Sequence, residues 1–78
     1  MYYTYIIELK NKAKYIGFSS DLKNRIKDHI IGSVSQTKNF RPIKLIFYAA
    51  FENKLRALKF EQYLKTPSGF AFRNKRLI

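Results

Sequence analysis

The chain has 78 residues and no cysteine, and its 16 Lys and Arg against five Asp and Glu give a formal net charge of +11. That length bounds it to one small domain, and the missing thiols exclude disulfides and thiolate metal clusters, which fits a reducing cytosol. No segment approaches the roughly 18 apolar residues of a membrane span, the N-terminus lacks a signal-peptide pattern, and an apolar share of 46% is too high for a disordered tail.

So large a positive balance repels itself in a folded state and is relieved by a polyanion. Nucleic acid is the leading partner, with an acidic membrane surface second.

Residues 2–9, YYTYIIEL, are aromatic and β-branched and predict a strand. Lys10-Asn11-Lys12 is a polar turn, and residues 13–19, AKYIGFS, predict the returning strand of a β-hairpin. If the loop holds three residues, position 9 faces 13, 7 faces 15 and 5 faces 17. Tyr3, Tyr5, Tyr15 and Gly17 then share one face, whereas a two-residue loop would split the tyrosines across opposite faces.

Ser19, Ser20 and Asp21 supply helix-start chemistry. In DLKNRIKDHIIG, Leu22, Ile26 and Ile30 form an apolar stripe, Gly32 ends the helix, and Arg25 and His29 stack four residues apart beside the stripe. Residues 33–42, SVSQTKNFRP, predict a polar surface loop. A third strand is expected over 43–51, with the apolar run from Leu45 to Phe51 buried. Glu52-Asn53 opens a second helix over roughly 53–66, lined by Leu55, Leu58 and Leu64. Thr66-Pro67-Ser68-Gly69 stops it, and the basic tail FAFRNKRLI has room for one more helical turn.

The order β-β-α-β-α plus a short tail predicts an α+β fold, a three-stranded, mainly antiparallel sheet flanked by helices.

Glu61 falls on the apolar line of the second helix, where a carboxylate is costly unless compensated. It pairs with a neighbouring cation, or reaches water at the edge of the line, or binds a divalent metal together with waters and phosphates. His29 is the single histidine; one turn from it, Arg25 offers a fork of donors suited to a phosphate.

Tyr5, Tyr15-Ile16-Gly17, the helix LKNRIKDH with Arg25 and His29, and Glu61 in ALKFEQYLK together resemble the GIY-YIG nuclease superfamily over nearly the whole chain. The chain is most similar to the small bacterial type related to the N-terminal domain of the excinuclease C subunit. The first motif departs from the family, reading Tyr3-Thr4-Tyr5 and keeping only the final tyrosine. The additional DNA-recognition domains of many relatives have no counterpart in these residues.

The resemblance implies a single nuclease domain over residues 1–78 that hydrolyses DNA phosphodiesters, in repair or recombination and on structured or damaged DNA. The alternative is a non-catalytic nucleic-acid-binding module of the same fold. In the nuclease, Glu61 would anchor one Mg²⁺ or Mn²⁺ and Arg25 would offset charge on the phosphate oxygens. Tyr5, Tyr15 or His29 would orient and deprotonate water, with His29 the favoured base because its ordinary pKa lies nearest neutrality. Gly17 would let the phosphate backbone approach the strand. Asn74 is the candidate for the asparagine that some members use near the C-terminus.

Lys10, Lys12, Lys14, Lys38, Arg41, Lys44, Arg73, Lys75 and Arg76 would form a collar against the nucleic-acid backbone. Phe40, Phe70 and Phe72 are candidates for stacking on bases or for the core.

Overall fold

The computed structural model describes residues 1–77. Strands β1 (Tyr2–Glu8) and β2 (Lys14–Ser19) form the expected hairpin. Its turn holds three residues: the Leu9 amide donates to the Ala13 carbonyl at 2.8 Å, and Lys12 takes the left-handed conformation at φ 71° that closes the reversal. Tyr5 therefore opposes Gly17 and Ile7 opposes Tyr15. The tyrosines at 5 and 15 share a face, as the three-residue loop requires.

Helix α1 (Leu22–Ile31) starts at Asp21, whose carboxylate accepts from the Asn24 amide at 3.2 Å, and ends at Gly32 with φ 85°. Strand β3 (Lys44–Phe51) then pairs antiparallel with the other side of β1, so the sheet order is β2-β1-β3. Helix α2 (Lys54–Leu64) is capped by Asn53, which accepts from the Arg56 amide. Thr66 and Pro67 do more than stop α2. Thr66 caps a new helix, α3 (Pro67–Phe72), with proline in its first turn, and a π-helical turn over Arg73–Leu77 continues it.

The two helices take opposite faces of β1. Thr4 turns toward α2, and its hydroxyl donates to the Ala57 carbonyl at 2.6 Å. Ile6, Ile16 and Leu64 form the core on that side, with Ile46, Phe47 and Phe60 packed against it. A register shift in the β1–β3 pairing between Ile6 and Ile7 brings both Ile46 and Phe47 to this core. Tyr5, one residue along from Thr4, turns to the other face and meets α1.

Several expectations are corrected here. On α1, Ile30 is 57% exposed and His29 is fully buried, so the inward side runs from the half-buried Leu22 and Ile26 to His29 rather than to Ile30. The reason lies beneath it, because the Tyr5 oxygen cannot be buried without a polar partner. On α2, Leu55 points to solvent, and Ala57 and Leu64 are the buried residues. The small Ala57 side chain suits the close approach of Thr4 to the helix backbone. The run from Leu45 to Phe51 lies in an edge strand with no fully buried residue. Residues 33–42 are only partly a surface loop, since they bury Val34 and Thr37 and contain a 3-10 turn over Lys38–Phe40.

Candidate active site

Four residues singled out by the sequence, Tyr5, Tyr15, Arg25 and His29, lie where α1 crosses the β1–β2 hairpin. The Tyr5 hydroxyl lies 2.8 Å from His29 Nε2, and His29 Nδ1 lies 2.8 Å from Thr37 Oγ1. All three residues are fully buried. Tyr15 stands edge-on to the same imidazole, with ring centres 5.2 Å apart, and keeps part of its surface in solvent. The half-buried Arg25 lies near both phenols, and among the described residues its guanidinium makes no hydrogen bond to either oxygen.

Burial pushes the Tyr5 phenol above its ordinary pKa, and contact with Arg25 opposes that rise. The Glu61 carboxylate on α2 is near enough to push the phenol up as well. The contact with Tyr5 raises the pKa of Arg25, so that side chain stays charged. His29 is lowered, first by burial and then by the Arg25 charge. A buried neutral imidazole with both nitrogens engaged cannot touch a water at the surface. This geometry makes His29 a partner of Tyr5, where the sequence had favoured it as the base.

Gly17 also has a different neighbour from the one expected. A Cβ at that position would overlap the Tyr5 ring and hydroxyl, so the space is filled by the phenol. Glycine here seats Tyr5 between the strands.

Glu61 is mostly buried, with 18% of its side chain exposed, and its Oε2 accepts from Lys65 Nζ at 3.2 Å. Among the described residues no group of three or more His, Asp or Glu is placed to hold a metal ion. A dedicated all-protein cage is therefore not available. One partly exposed carboxylate is a ligand that suits Mg²⁺ or Mn²⁺, which take most of their shell from water and substrate.

The basic collar divides. Lys10, Lys12, Lys38, Lys44, Asn74, Lys75 and Arg76 are exposed. Lys14 is engaged by Glu8 at 3.2 Å. Arg41 is tied down at the end of α1, donating to the Lys38 and Ile30 carbonyls at 3.0 and 3.3 Å. Arg73 is buried. Phe40, Phe70 and Phe72 are each partly exposed, at the 3-10 turn and on α3.

Two participants escaped the sequence reading. Lys65 stands four residues after Glu61 on a helix, a spacing that signals an ion pair. Thr37, which holds the far side of His29, carries no local signal at all.

Among the described residues no helix is long and apolar enough to cross a membrane. The sequence profile of the GIY-YIG catalytic domain matches residues 1–76. A UPF0213 protein of Clostridium perfringens is 38% identical over 66 residues, covering 83% of this chain and 71% of the relative. A UPF0213 protein of Bacillus subtilis is 35% identical over 65 residues, covering 82% and 66%. The solution NMR structure of a UPF0213 protein from Bacillus halodurans superposes with a TM-score of 0.61 at 31% identity, covering 96% of this chain and 82% of that one. By that profile over residues 1–76 and by these relatives, the chain belongs to the GIY-YIG catalytic domain family.

Proposed function

We propose that this protein is a divalent-metal-dependent endonuclease that hydrolyses phosphodiester bonds of DNA. The observation that carries the reading is the Tyr5–His29–Thr37 hydrogen-bonded stack with Tyr15 edge-on to the same imidazole and Arg25 one helical turn before His29, in a chain whose residues 1–76 match the GIY-YIG catalytic domain. Arg25 makes no ion pair among the described residues, and a phosphate supplies an anion for its donors.

Arg25 binds the non-bridging oxygens of the scissile phosphate and offsets the charge that grows on them. Tyr15, the phenol with access to solvent, holds the attacking water in line and accepts its proton. An ordinary phenol is a weak base near neutrality, so its own hydroxyl proton passes to solvent as the water's proton arrives. Tyr5 is a positioning residue: bonded to His29 and seated on Gly17, it holds Arg25 in place from behind. Glu61 is the residue that would hold the metal ion. When bound, such a cation polarises the phosphodiester and stabilises the leaving oxygen. The exposed cations at Lys10, Lys12, Lys38, Lys44, Lys75 and Arg76, with Asn74 beside them, contact backbone phosphates without reading sequence. Because the chain has no cysteine, a reducing cytoplasm suits it, with repair or recombination as its setting.

A second reading has one observation in its favour. The Lys65 ammonium already answers the Glu61 carboxylate, as it would in a module that binds nucleic acid without cutting it. Plasmid nicking with Mg²⁺ or Mn²⁺, comparing wild type with Glu61→Ala, separates the two. Metal-dependent nicking lost in the variant supports the enzyme; equal nicking by both proteins, or none by either, removes it.

A further inference from the structure

A groove of 330 Å³ runs between β2 and the corner where α2 passes into α3, lined by Lys14, Tyr15, Leu64, Lys65, Phe70 and Arg73. Arg73 is its unusual member. The residue is 8% exposed, and its Nε is buried without a hydrogen-bond acceptor among the described residues. The other two cations of the groove are answered, Lys14 by Glu8 and Lys65 by Glu61. Arg73 makes no ion pair among the described residues.

A guanidinium taken out of water without an anion is unfavourable, and the desolvation lowers its pKa. Its charge centre sits 4.4 Å from the Phe70 ring centre, a contact that fixes the fork and recovers part of the loss. Such a side chain is held ready for an acceptor, and its planar donors match the oxygens of a phosphate. Tyr15 is among the residues that line the groove, which therefore opens along the edge strand that carries the candidate catalytic phenol.

We propose that this groove is a second phosphate subsite, in which Arg73 holds a backbone phosphodiester of the bound DNA strand next to the bond presented at Tyr15. The proposal rests on the nuclease reading for the position of the strand and on the groove itself for the anion. Lys14 and Lys65 flank the anion, and the exposed part of Phe70 meets the adjoining nucleotide.

The test is made in EDTA, so that no cleavage intervenes. An unphosphorylated single-stranded DNA oligonucleotide is titrated into the labelled full chain while the Nε–H resonance of Arg73 is followed by NMR. The resonance is expected to move and saturate. A resonance that stays still, or that responds to inorganic phosphate alone, overturns the proposal. For Arg73→Met, the slope of log affinity against log salt is expected to fall by about one; an unchanged slope overturns the subsite. Should that variant fail to fold, Arg73→Lys keeps the charge and loses the Nε donor. It is expected to keep the slope and bind more weakly, and an affinity equal to the wild type's counts against the subsite. Active nicking with an unmoved Arg73 resonance removes this subsite alone, whereas a moved resonance without nicking removes the hydrolase reading alone.

Discussion

The Tyr5 hydroxyl donates to His29 Nε2 across 2.8 Å inside a pocket closed to solvent. The direction follows from the far side of the ring. The Thr37 hydroxyl also faces the Val34 carbonyl at 3.5 Å, so it accepts from His29 Nδ1–H at 2.8 Å and leaves Nε2 bare. The chain thus keeps a neutral imidazole behind a neutral phenol, and a second proton on His29 would leave two donors facing each other.

Folding stability should consequently depend on pH through His29. Its folded-state pKa lies below the ordinary value of 6.5, so the unfolded chain takes up the proton first as pH falls. The stability contribution is complete above 6.5 and is lost as pH drops below it toward the folded value. The other lowered acid, Glu8, acts only below its ordinary 4.5, which leaves the window between them to His29. Thermal midpoints measured from about pH 7.5 to about 5.5 should decline for wild type. A level profile, or an equal decline in His29→Gln, would refute the assignment.

Removing the phenol oxygen of the half-buried Tyr15 should cost turnover more than binding. For Tyr15→Phe, metal-dependent nicking is expected to fall at least about 10²-fold, the usual range for a lost acid–base group. DNA affinity measured without metal should stay within a factor of about three, because backbone cations dominate it. A Tyr15→Phe enzyme nicking at the wild-type rate would remove the phenol from the proton-transfer role.

Glu61→Gln separates fold from chemistry. The ion pair it breaks reaches a lysine whose side chain is 54% exposed, so stability should change by less than about 1 kcal/mol. Nicking in Mg²⁺ or Mn²⁺ should be abolished. Denaturant melts and nicking assays on one preparation decide the matter; a large loss of stability would mean that Glu61 serves the fold first.

Thr4→Val probes the anchor of the other helix. It deletes the 2.6 Å bond to the Ala57 carbonyl while keeping the side-chain volume. Ala57 retains its own helical bond, so the loss should be about 1 kcal/mol. In a domain of this size that lowers the melting midpoint by about 4–8 °C. A midpoint within a degree or so of wild type would show that the hydroxyl contributes little.

The hairpin was legible in the sequence but its register was not: two loop lengths stayed open, and the three-residue turn that forms puts Tyr5, Gly17 and Tyr15 on one face. The caps at Asp21, Gly32 and Asn53 were legible for local reasons. The facing of α1 was not. Leu22, Ile26 and Ile30 make the better apolar stripe, yet the helix turns His29 inward to meet a phenol distant in sequence. Thr37 escaped notice, and Arg73 was expected among the collar cations rather than buried, for the same reason: the burial of a polar side chain is set by the tertiary fold. The first motif shows the converse. Thr4 differs from the family pattern at a position that anchors α2, and Tyr5 matches it at the position that reaches α1.

Because the Tyr5 ring lies where a side chain at 17 would have to go, the two positions share a single allotment of room. Whatever one strand gains in bulk there, its neighbour must surrender. The hairpin therefore works as a matched key and slot, in which a methyl group added to the slot would dislodge the key from its latch on the overlying helix without any reacting group having been replaced.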